Sequence, residues 1–380
     1  MFLHIVDDAS HINLLLDRVD DMGLTVHKFC IISKHHNIRK IQQSERVEII
    51  PPIGQDFQNL IKSLSEYKGV FIHNLCHSKA QIVINANSKV RFVWVLWGAD
   101  YYRIFPELAM NLFTPKTMLA NICIGKLSLG AHMLWSKLNW LTSIFGLPSR
   151  NSTKVKAAQR MNSVANNLGA LSELFRQIPF PEKAIFNGIY YSIEKLIGNQ
   201  SNPPIQLGPN IFIGNSASNT SNHLDLFAKL KNAIPKKCKV VVPLSSGSAR
   251  YGKLIRIFGK WFFGSQFHPL IHHLKLDAYH QELFTCRVLF FNHKRAQAFG
   301  NIIFGIWAGH KVFLREENPI FHFLRKNAVH VFSINAGIDS TALNELNEDL
   351  KKSNRIAISK LFSEARIQAN FQEILQYLKA

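Results

Sequence analysis

Paired cysteines are absent from this 380-residue sequence. Its five cysteines are far apart and form no Cys-x-x-Cys pair, which argues against a disulfide framework or a zinc site and indicates reduced core thiols. No long tract rich in Gly, Ser, Gln or Pro is present, so the composition also argues against disorder. With 47% hydrophobic and 18% charged residues, the chain is that of a packed globular protein long enough for two domains.

Several short motifs of common active sites are also missing. There is no Asp-x-Asp pair to hold a metal on a diphosphate and no Gly-x-Gly-x-x-Gly turn for a dinucleotide. There is likewise no Walker lysine motif and no Gly-x-Ser-x-Gly elbow. We therefore expect no metal and no bound cofactor.

Acidic residues are scarce in two stretches. Lys and Arg outnumber Asp and Glu by 45 to 25. No acid lies between Glu107 and Glu173 or between Asp225 and Asp277, although both stretches are rich in lysine and arginine. Such faces attract nucleic acid, nucleotide phosphates or anionic lipid, unless they are merely solvated. We expect no nucleic-acid partner, because no recognised binding module is present.

The first acid-free stretch contains a strongly apolar segment, residues 117–147. It carries Trp135 and Trp140, and its Lys126 and Lys137 are eleven residues apart, close to three helical turns and therefore on one stripe. This pattern predicts an in-plane helix on an anionic membrane surface, since the segment is interrupted too often to span a bilayer. A buried domain helix with lysines at its rim is the alternative.

Strand-like and helix-like segments alternate along the chain. The first residues lack a basic region and turn acidic after a short apolar run, which predicts a first strand at residues 2–6 and a cytoplasmic protein without a signal peptide. Further strands are predicted at residues 28–32, 69–74, 90–97, 211–213, 239–244, 288–292, 311–314 and 329–333. Helix-length segments lie between many of them, so the expected fold class is α/β with parallel sheets.

The proline-rich segment 201–209 is the best linker in the chain. It predicts a first domain at residues 1–205 and a second at 206–355, both doubly wound and Rossmann-like and facing one cleft. Residues 356–380 form an amphipathic segment that we expect to pack back on the first domain.

In the second domain, polar residues follow the predicted strand ends, where open parallel sheets bind ligands. The first turn begins Gly214-Asn215-Ser216 and could cradle a diphosphate at a helix N-terminus, although such runs are often ordinary turns and N-caps. The second contains Asn292, Arg295, Gln297, Gly300 and Asn301, so it combines a cation, carboxamides and a glycine at a helix start.

Glu317 follows the next strand and could accept hydrogen bonds from ribose hydroxyls. A favourable charge at a helix N-terminus ahead of Pro319 is its alternative role.

In the first domain, strand tips present His73 and the segment Trp97-Gly98-Ala99-Asp100-Tyr101. His73 and Asp100 are candidate proton acceptors from a substrate hydroxyl, and Trp97, Gly98 and Tyr101 are candidate acceptor-site residues. A structural role for Asp100, capping the following segment, is the competing interpretation.

Together these segments resemble a known family. Trp97-Gly-Ala-Asp-Tyr101, Gly214-Asn-Ser with Ser221-Asn222, Leu276-Asp-Ala-Tyr279, Arg295-x-Gln297 with Gly300, and Glu317-Asn-Pro319 occur in this order. The same order is found in the N-acetylfucosamine (4-acetamido-4,6-dideoxygalactose) transferases of enterobacterial common antigen assembly, glycosyltransferase family 56. Two departures from the family pattern are Ala296 between Arg295 and Gln297, and the loop Ser245 to Gly252.

The resemblance implies the two-domain GT-B fold, a dTDP-linked deoxy-acetamido sugar donor, and a polyprenyl-diphosphate-linked oligosaccharide acceptor at the cytoplasmic face of the bacterial inner membrane. From the strand-end positions and the family motifs together, we assign donor binding to Gly214, Asn215, Ser216, Asn222, Ser245, Tyr251, Tyr279, Asn292, Arg295, Gln297, Gly300, Asn301, Glu317 and Asn318. With no metal motif, Arg295 is expected to stabilise the departing diphosphate. A sugar-nucleotide epimerase of the same fold is the alternative enzyme, and the acid-free stretches count against it.

Overall fold

The computed structural model of the protein describes residues 1–35, 38, 40–104, 111–124, 150–166, 184–198, 200 and 206–380. The four residues assigned to membrane contact, Lys126, Trp135, Lys137 and Trp140, lie outside the described residues. Among those described, no helix combines the length and apolar character needed to cross a bilayer.

The chain divides into two compact units. Unit 1 comprises Met1–Ala109, Lys137–Ser192 and Glu364–Ala380, and unit 2 comprises Met110–Ser136 and Ile193–Ser363. Each unit is built on one parallel sheet flanked by helices.

In unit 1 the described strands form one parallel sheet in the order β3-β2-β1-β4-β5-β6-β7. They are Phe2–Val6 (β1), His27–Ile32 (β2), Val47–Ile50 (β3), Gly69–His73 (β4), Phe92–Val95 (β5), Ser163–Asn166 (β6) and Ala184–Asn187 (β7). The sheet of unit 2 has the order β10-β9-β8-β11-β12-β13. Its strands are Asn210–Ile213 (β8), Val240–Pro243 (β9), Phe267–Leu270 (β10), Cys286–Phe291 (β11), Lys311–Leu314 (β12) and Phe332–Ser333 (β13).

The described α-helices, in chain order, are Ile12–Asp21 (α1), Gln55–Ser63 (α2), His77–Asn85 (α3), Ala99–Ile104 (α4), Pro115–Cys123 (α5), Arg150–Arg160 (α6), Ile193–Ile197 (α7), His223–Leu230 (α8), Ala249–Phe263 (α9), Leu276–Phe284 (α10), Phe299–Ala308 (α11), Pro319–Lys326 (α12), Glu348–Leu361 (α13) and Glu364–Lys379 (α14).

Both sheets have the strand order of a Rossmann-like doubly wound domain, in which the order reverses after the first strand. The central strands are buried on both faces, because helices cover them, and so they consist of apolar runs such as Val-Leu-Phe-Phe in β11. The predicted fold class is confirmed: the protein is α/β with two doubly wound parallel sheets.

The observed units divide the chain at other places than residue 205. Residues 110–136 belong to unit 2, and the chain returns to unit 1 at Glu364 and not at residue 356. Asp225 explains the first difference, because its carboxylate accepts hydrogen bonds from the backbone of Lys116 at 3.1 Å and of Thr117 at 3.0 Å at the start of α5. The last apolar segment is two helices, α13 and α14, and not one.

Helix α14 completes the core of unit 1. Its Phe371, Ile374, Leu375 and Leu378 are buried among the apolar residues of the central strands. The buried Arg18 of α1 fixes the start of this helix with a bidentate pair to Glu364, at 2.6 and 3.0 Å.

Candidate functional site

Three neighbouring strands of unit 2 end side by side at the carboxyl edge of the sheet. The register pairs Ile213 of β8 with Phe290 of β11, and Phe291 of β11 with Leu314 of β12. Because the strand order reverses between β8 and β11, their ends form the topological switch point at which open α/β sheets bind ligands. The loops after these strands carry most of the residues assigned to donor binding.

Gly214, the first residue after β8, occupies a position that only glycine fits. Its φ is +77°, and a Cβ would lie 2.6 Å from Nε2 of His223. His223 is the first residue of α8. Its ring is buried, and its Nδ1 lies 3.3 Å from the hydroxyl of Tyr251. This close packing fixes the direction in which Asn215 and Ser216 leave the strand.

Asn215 is the centre of a polar cluster that joins the loops after β8 and β11. Its Oδ1 accepts a hydrogen bond from Gln297 Nε2 at 3.0 Å and lies 3.2 Å from His293 Nε2. Gln297 Oε1 accepts a bond from the Thr220 hydroxyl at 2.6 Å, and His293 Nε2 lies 3.3 Å from the Ser221 hydroxyl. The structure therefore brings Asn215 and Gln297 together as expected, and it adds His293, which the sequence analysis missed.

His293 is buried and neutral. Burial, with the charge of Arg295, holds the pKa of His293 well below its usual value. Its Nε2 carries the proton, because this atom faces the carboxamide oxygen of Asn215. His293 thus fixes the orientation of Asn215. The signal that could have identified it is its place directly after Asn292 at a strand end.

Arg315 and Glu317 form a second group, after β12. Arg315 binds both carboxylate oxygens of Glu317, at 2.6 and 3.2 Å, and Asn335 donates to Glu317 Oε2 at 3.1 Å. Partial burial would raise the pKa of Glu317, but these hydrogen bonds lower it to about 2. Arg315 also donates to Asn292 Oδ1 at 3.2 Å, which connects this group to the loop after β11. Arg315 is the second residue that sequence reasoning missed.

Arg295 lies half-buried in the loop between β11 and α11. The following helix begins with Gly300 and Asn301 in its first turn, and Asn301 donates to the Tyr279 hydroxyl at 2.7 Å. Asn301 and Tyr279 are both half-buried, and this hydrogen bond brings together two residues that were assigned to donor binding.

Three residues assigned to donor binding have internal roles instead. Asn222 is buried, and its Nδ2 donates to the backbone carbonyl of Asn292 at 3.1 Å, while Asn292 Nδ2 donates to the backbone carbonyl of Asn222 at 2.8 Å. Tyr251 is buried, and its hydroxyl lies 3.3 Å from Nδ1 of His223. Asn318 is the buried N-cap of α12 and accepts from Ile320 N at 3.0 Å. These contacts with protein groups could not be read from sequence position, although Nδ2 of Asn318 is buried without a hydrogen-bond partner among the described residues. Ser245, after β9, is exposed.

Asp100 in unit 1 is structural. Its buried carboxylate accepts hydrogen bonds from Trp94 Nε1 at 2.8 Å, Leu75 N at 3.0 Å and Trp97 N at 3.1 Å. Burial raises the pKa of Asp100, and the hydrogen bonds oppose that rise. Because three donors of the chain already occupy its oxygens, the geometry favours the structural alternative for Asp100 over proton transfer from substrate.

Both ring nitrogens of His73 also face groups of the chain, so its geometry likewise favours a structural role. It shares a face of β4 with Phe71 and is buried there, with Nε2 at 3.0 Å from His4 Nδ1 and Nδ1 hydrogen-bonded to the Tyr190 hydroxyl. His4 Nε2 lies 2.9 Å from His27 Nδ1, so three imidazoles on neighbouring strands form one buried chain. Burial holds the pKa of His73 well below its usual value.

The other acceptor-side assignments lie at the end of β5 and in the following helix, α4. Trp97 is half-buried, and its Nε1 donates to the Tyr190 hydroxyl at 3.0 Å. Gly98 has a φ of +84°, which the turn from β5 into α4 requires. Tyr101 is buried within that helix.

Whereas His73 is fully buried, His11 is partly exposed to solvent. It lies in the loop after β1, half-buried, with its ring edge-on to Trp97 at 4.2 Å and to Tyr190 at 5.1 Å between centroids. Burial lowers the pKa of His11 to about 4, although the nearby Asp7 carboxylate raises it. The ring is therefore neutral at pH 7.

Asp7 directly follows β1, at the topological switch point of the unit 1 sheet, where the strand order reverses between β1 and β4. Its carboxylate pairs with Lys79 Nζ at 2.9 Å and accepts a hydrogen bond from Asn74 Nδ2. The rule that selected residues of the loop after the first strand of unit 2 would have selected Asp7 and His11, which lie in the loop after β1. Within the described part of the chain, no group of three or more His, Cys, Asp or Glu side chains is placed to hold a metal ion.

A family model described as 4-alpha-L-fucosyltransferase glycosyl transferase group 56 matches residues 156–379. The matched range contains the whole polar cluster of unit 2. The chain belongs to glycosyltransferase family 56. Its activity class is therefore sugar transfer, as the sequence motifs predicted.

Solved glycosyltransferase structures have the same fold. HepE from Anabaena in complex with UDP-glucose is 12% identical, with a TM-score of 0.65 and 99% of each chain covered. Sucrose-phosphate synthase from Thermosynechococcus elongatus is 10% identical, with a TM-score of 0.63, 99% of this chain and 98% of that chain covered. A glycosyltransferase from Rickettsia africae is 13% identical, with a TM-score of 0.61 and the same coverage. The family 56 chain thus has the GT-B fold.

Proposed function

We propose that unit 2 binds a dTDP-linked deoxy-acetamido sugar of the N-acetylfucosamine type. The observation that carries this proposal is the polar cluster at the switch point of the unit 2 sheet. There Asn215 and Gln297 hold the two loops together, and Arg295 lies in the second of them. Family membership supports a sugar donor, and the ligand of HepE, UDP-glucose, supports a nucleotide-linked one.

In this proposal, different residues of unit 2 bind different groups of the donor. The turn Gly214 to Ser216 and the guanidinium of Arg295 bind the diphosphate, since backbone amides and Arg are good phosphate donors. Glu317 accepts hydrogen bonds from the ribose hydroxyl, because a carboxylate held by Arg315 keeps further lone pairs available. In dTDP that hydroxyl is the 3′-OH. Arg295 also stabilises the charge that develops on the departing nucleoside diphosphate.

The acceptor belongs to unit 1 in this proposal. A polyprenyl-diphosphate-linked oligosaccharide of cell-surface polysaccharide synthesis presents its hydroxyl near His11. The neutral ring accepts the proton as the hydroxyl attacks the anomeric carbon. Trp97, beside His11, offers an aromatic face to a sugar ring. The protein then works peripherally at the cytoplasmic face of the bacterial inner membrane.

The donor assignment is tested by thermal unfolding with nucleoside diphosphates. Thymidine diphosphate should raise the unfolding temperature of the parent more than uridine or guanosine diphosphate, because a ligand that binds only the folded state stabilises it. Arg295→Ala should reduce that shift and cut turnover by roughly 100-fold or more. Arg325→Ala, exposed in the last turn of α12, is the matched control. An equal shift and equal turnover in parent and Arg295→Ala would refute the assignment.

We also propose that transfer needs no metal, because the sequence lacks an Asp-x-Asp pair and Arg295 can take the charge of the diphosphate. Turnover should then be unchanged in excess EDTA and not increased by magnesium or manganese. Loss of activity on chelation, with recovery on adding either ion, would overturn this.

A further inference from the structure

Helix α9 presents two large apolar side chains to solvent. Trp261 is 73% exposed and Ile257, one turn before it, is 69% exposed. Residues four apart lie on one side of a helix, so these two share a face. The Trp261 ring is held in place by edge-on contact with Phe262, at 4.6 Å between centroids.

The opposite face of the same helix is its core face. Tyr251, Ile255 and Phe263 are buried there, and Gly259 lies so close to Phe267 that a Cβ would be 2.2 Å from the Phe267 ring. The helix is therefore anchored in unit 2 mainly by this face, whereas most of the Ile257 and Trp261 side chains remains exposed.

Positive charge surrounds the exposed apolar pair. Lys253, Arg256 and Lys260 are exposed at helical spacings of three and four from one another, and therefore lie on the same outer stripe. The helix lies within residues 226–276, which contain no Asp or Glu. An outward face with a tryptophan, an isoleucine and several cations is typical of helices that lie in the interface of an anionic bilayer.

We propose that the outer stripe of α9, formed by Lys253, Arg256, Ile257, Lys260 and Trp261, is a docking surface for an anionic lipid bilayer. The cations bind lipid phosphates, while the indole and the isoleucine enter the boundary between headgroups and acyl chains. A nucleic acid would match the cations but would leave Ile257 in water, because an aliphatic side chain cannot stack on bases. The proposed function supplies the biological reason for this partner, a lipid-linked acceptor.

The test uses the full-length protein and vesicles of phosphatidylcholine, alone or mixed with an equal part of phosphatidylglycerol. The parent should sediment with the mixed vesicles only, and Ile257→Ser/Trp261→Ser should lower the bound fraction roughly tenfold. Lys253→Gln/Arg256→Gln/Lys260→Gln should act similarly. Ile356→Ser, which removes an isoleucine that is 71% exposed elsewhere in unit 2, is the matched control and should bind like the parent.

Folding and donor binding are checked on every variant by thermal unfolding with and without thymidine diphosphate. All stripe variants should keep the parental response, because the replaced side chains are exposed. Failure of the nucleotide response in the parent would therefore count against the proposed function and not against the docking surface.

Three outcomes would overturn the inference: a parent that ignores mixed vesicles, an Ile257→Ser/Trp261→Ser variant that binds them like the parent, or duplex DNA binding that is tighter than vesicle binding and insensitive to that double variant.

Discussion

At the residue scale, His11 and Asp100 differ in what their polar atoms can reach. His11 is half-buried in a loop, whereas Asp100 is buried with three N–H donors on its carboxylate. We predict that His11→Gln lowers turnover by roughly 100-fold or more and leaves the thymidine diphosphate response unchanged, because only proton transfer is lost. Steady-state kinetics and thermal shifts measure the two effects.

Asp100→Asn is the contrasting variant. Its amide would place an NH2 group either against the N–H of Trp97 or against the N–H groups of Trp94 and Leu75, so the urea midpoint should fall while turnover per folded molecule is kept. If Asp100→Asn is as stable as the parent but inactive, Asp100 is the catalytic base after all and the assignment of His11 is wrong.

Polar residues that follow strand ends were expected to form the ligand site, and the structure agrees with this rule at some positions and not at others. Asn215, Gln297 and Glu317 follow strand ends in the sequence, and the structure places them at the switch-point edge of unit 2. His73 fails the same rule because it is the last residue of its strand and not the first of the loop, so its side chain faces inward beside Phe71. Asn222 fails because its carboxamide is used within unit 2, by Asn292 and Thr114. Burial and partner geometry, which decide both cases, are not encoded in spacing.

At the element scale, apolar runs predicted the central strands closely. The observed β1, Phe2–Val6, and β12, Lys311–Leu314, have the predicted bounds. Strands β6 and β7 were missed, because Ser163–Asn166 and Ala184–Asn187 are four-residue segments with few branched residues. Helix α9 was missed as well. It lies within the second acid-free stretch, which was interpreted as one basic face and not divided into elements.

Helix α5 was expected in the first domain, and Asp225 is the reason for its place in unit 2. The Asp225 carboxylate accepts hydrogen bonds from Thr114, Lys116 and Thr117, around the first turn of that helix. We predict that Asp225→Ala releases this turn, so that trypsin cuts after Lys116 faster than in the parent. Limited proteolysis with mass spectrometry would detect the cut. Asp277→Ala, at an exposed helix position, is the control. Equal cleavage in parent and Asp225→Ala would show that other contacts hold the segment.

At the scale of the whole molecule, buried histidines make the fold sensitive to acid. His4, His27, His73, His223, His280, His293 and His310 are all buried. Burial lowers the pKa of each, to about 4 for His27 and His280 and to about 3 for His223 and His310. In the unfolded chain a histidine titrates near 6.5, so below that pH the unfolded chain binds protons that the folded protein does not. Stability is therefore complete above about pH 6.5 and falls as the pH drops towards 4.

We predict that the urea midpoint of unfolding is constant from pH 7.5 to about 6.5 and falls steeply below it, since each such histidine costs about 1.4 kcal/mol per pH unit in that window. His280→Phe should reduce the slope by one histidine, because the His280 ring stacks on Phe304 at 3.9 Å and phenylalanine can keep that contact. His272→Phe, at an exposed position, should leave the slope unchanged. A midpoint that stays constant down to pH 5 would mean that the buried rings take up protons in the folded protein. The assignment of neutral rings to His4 and His73 would then be wrong.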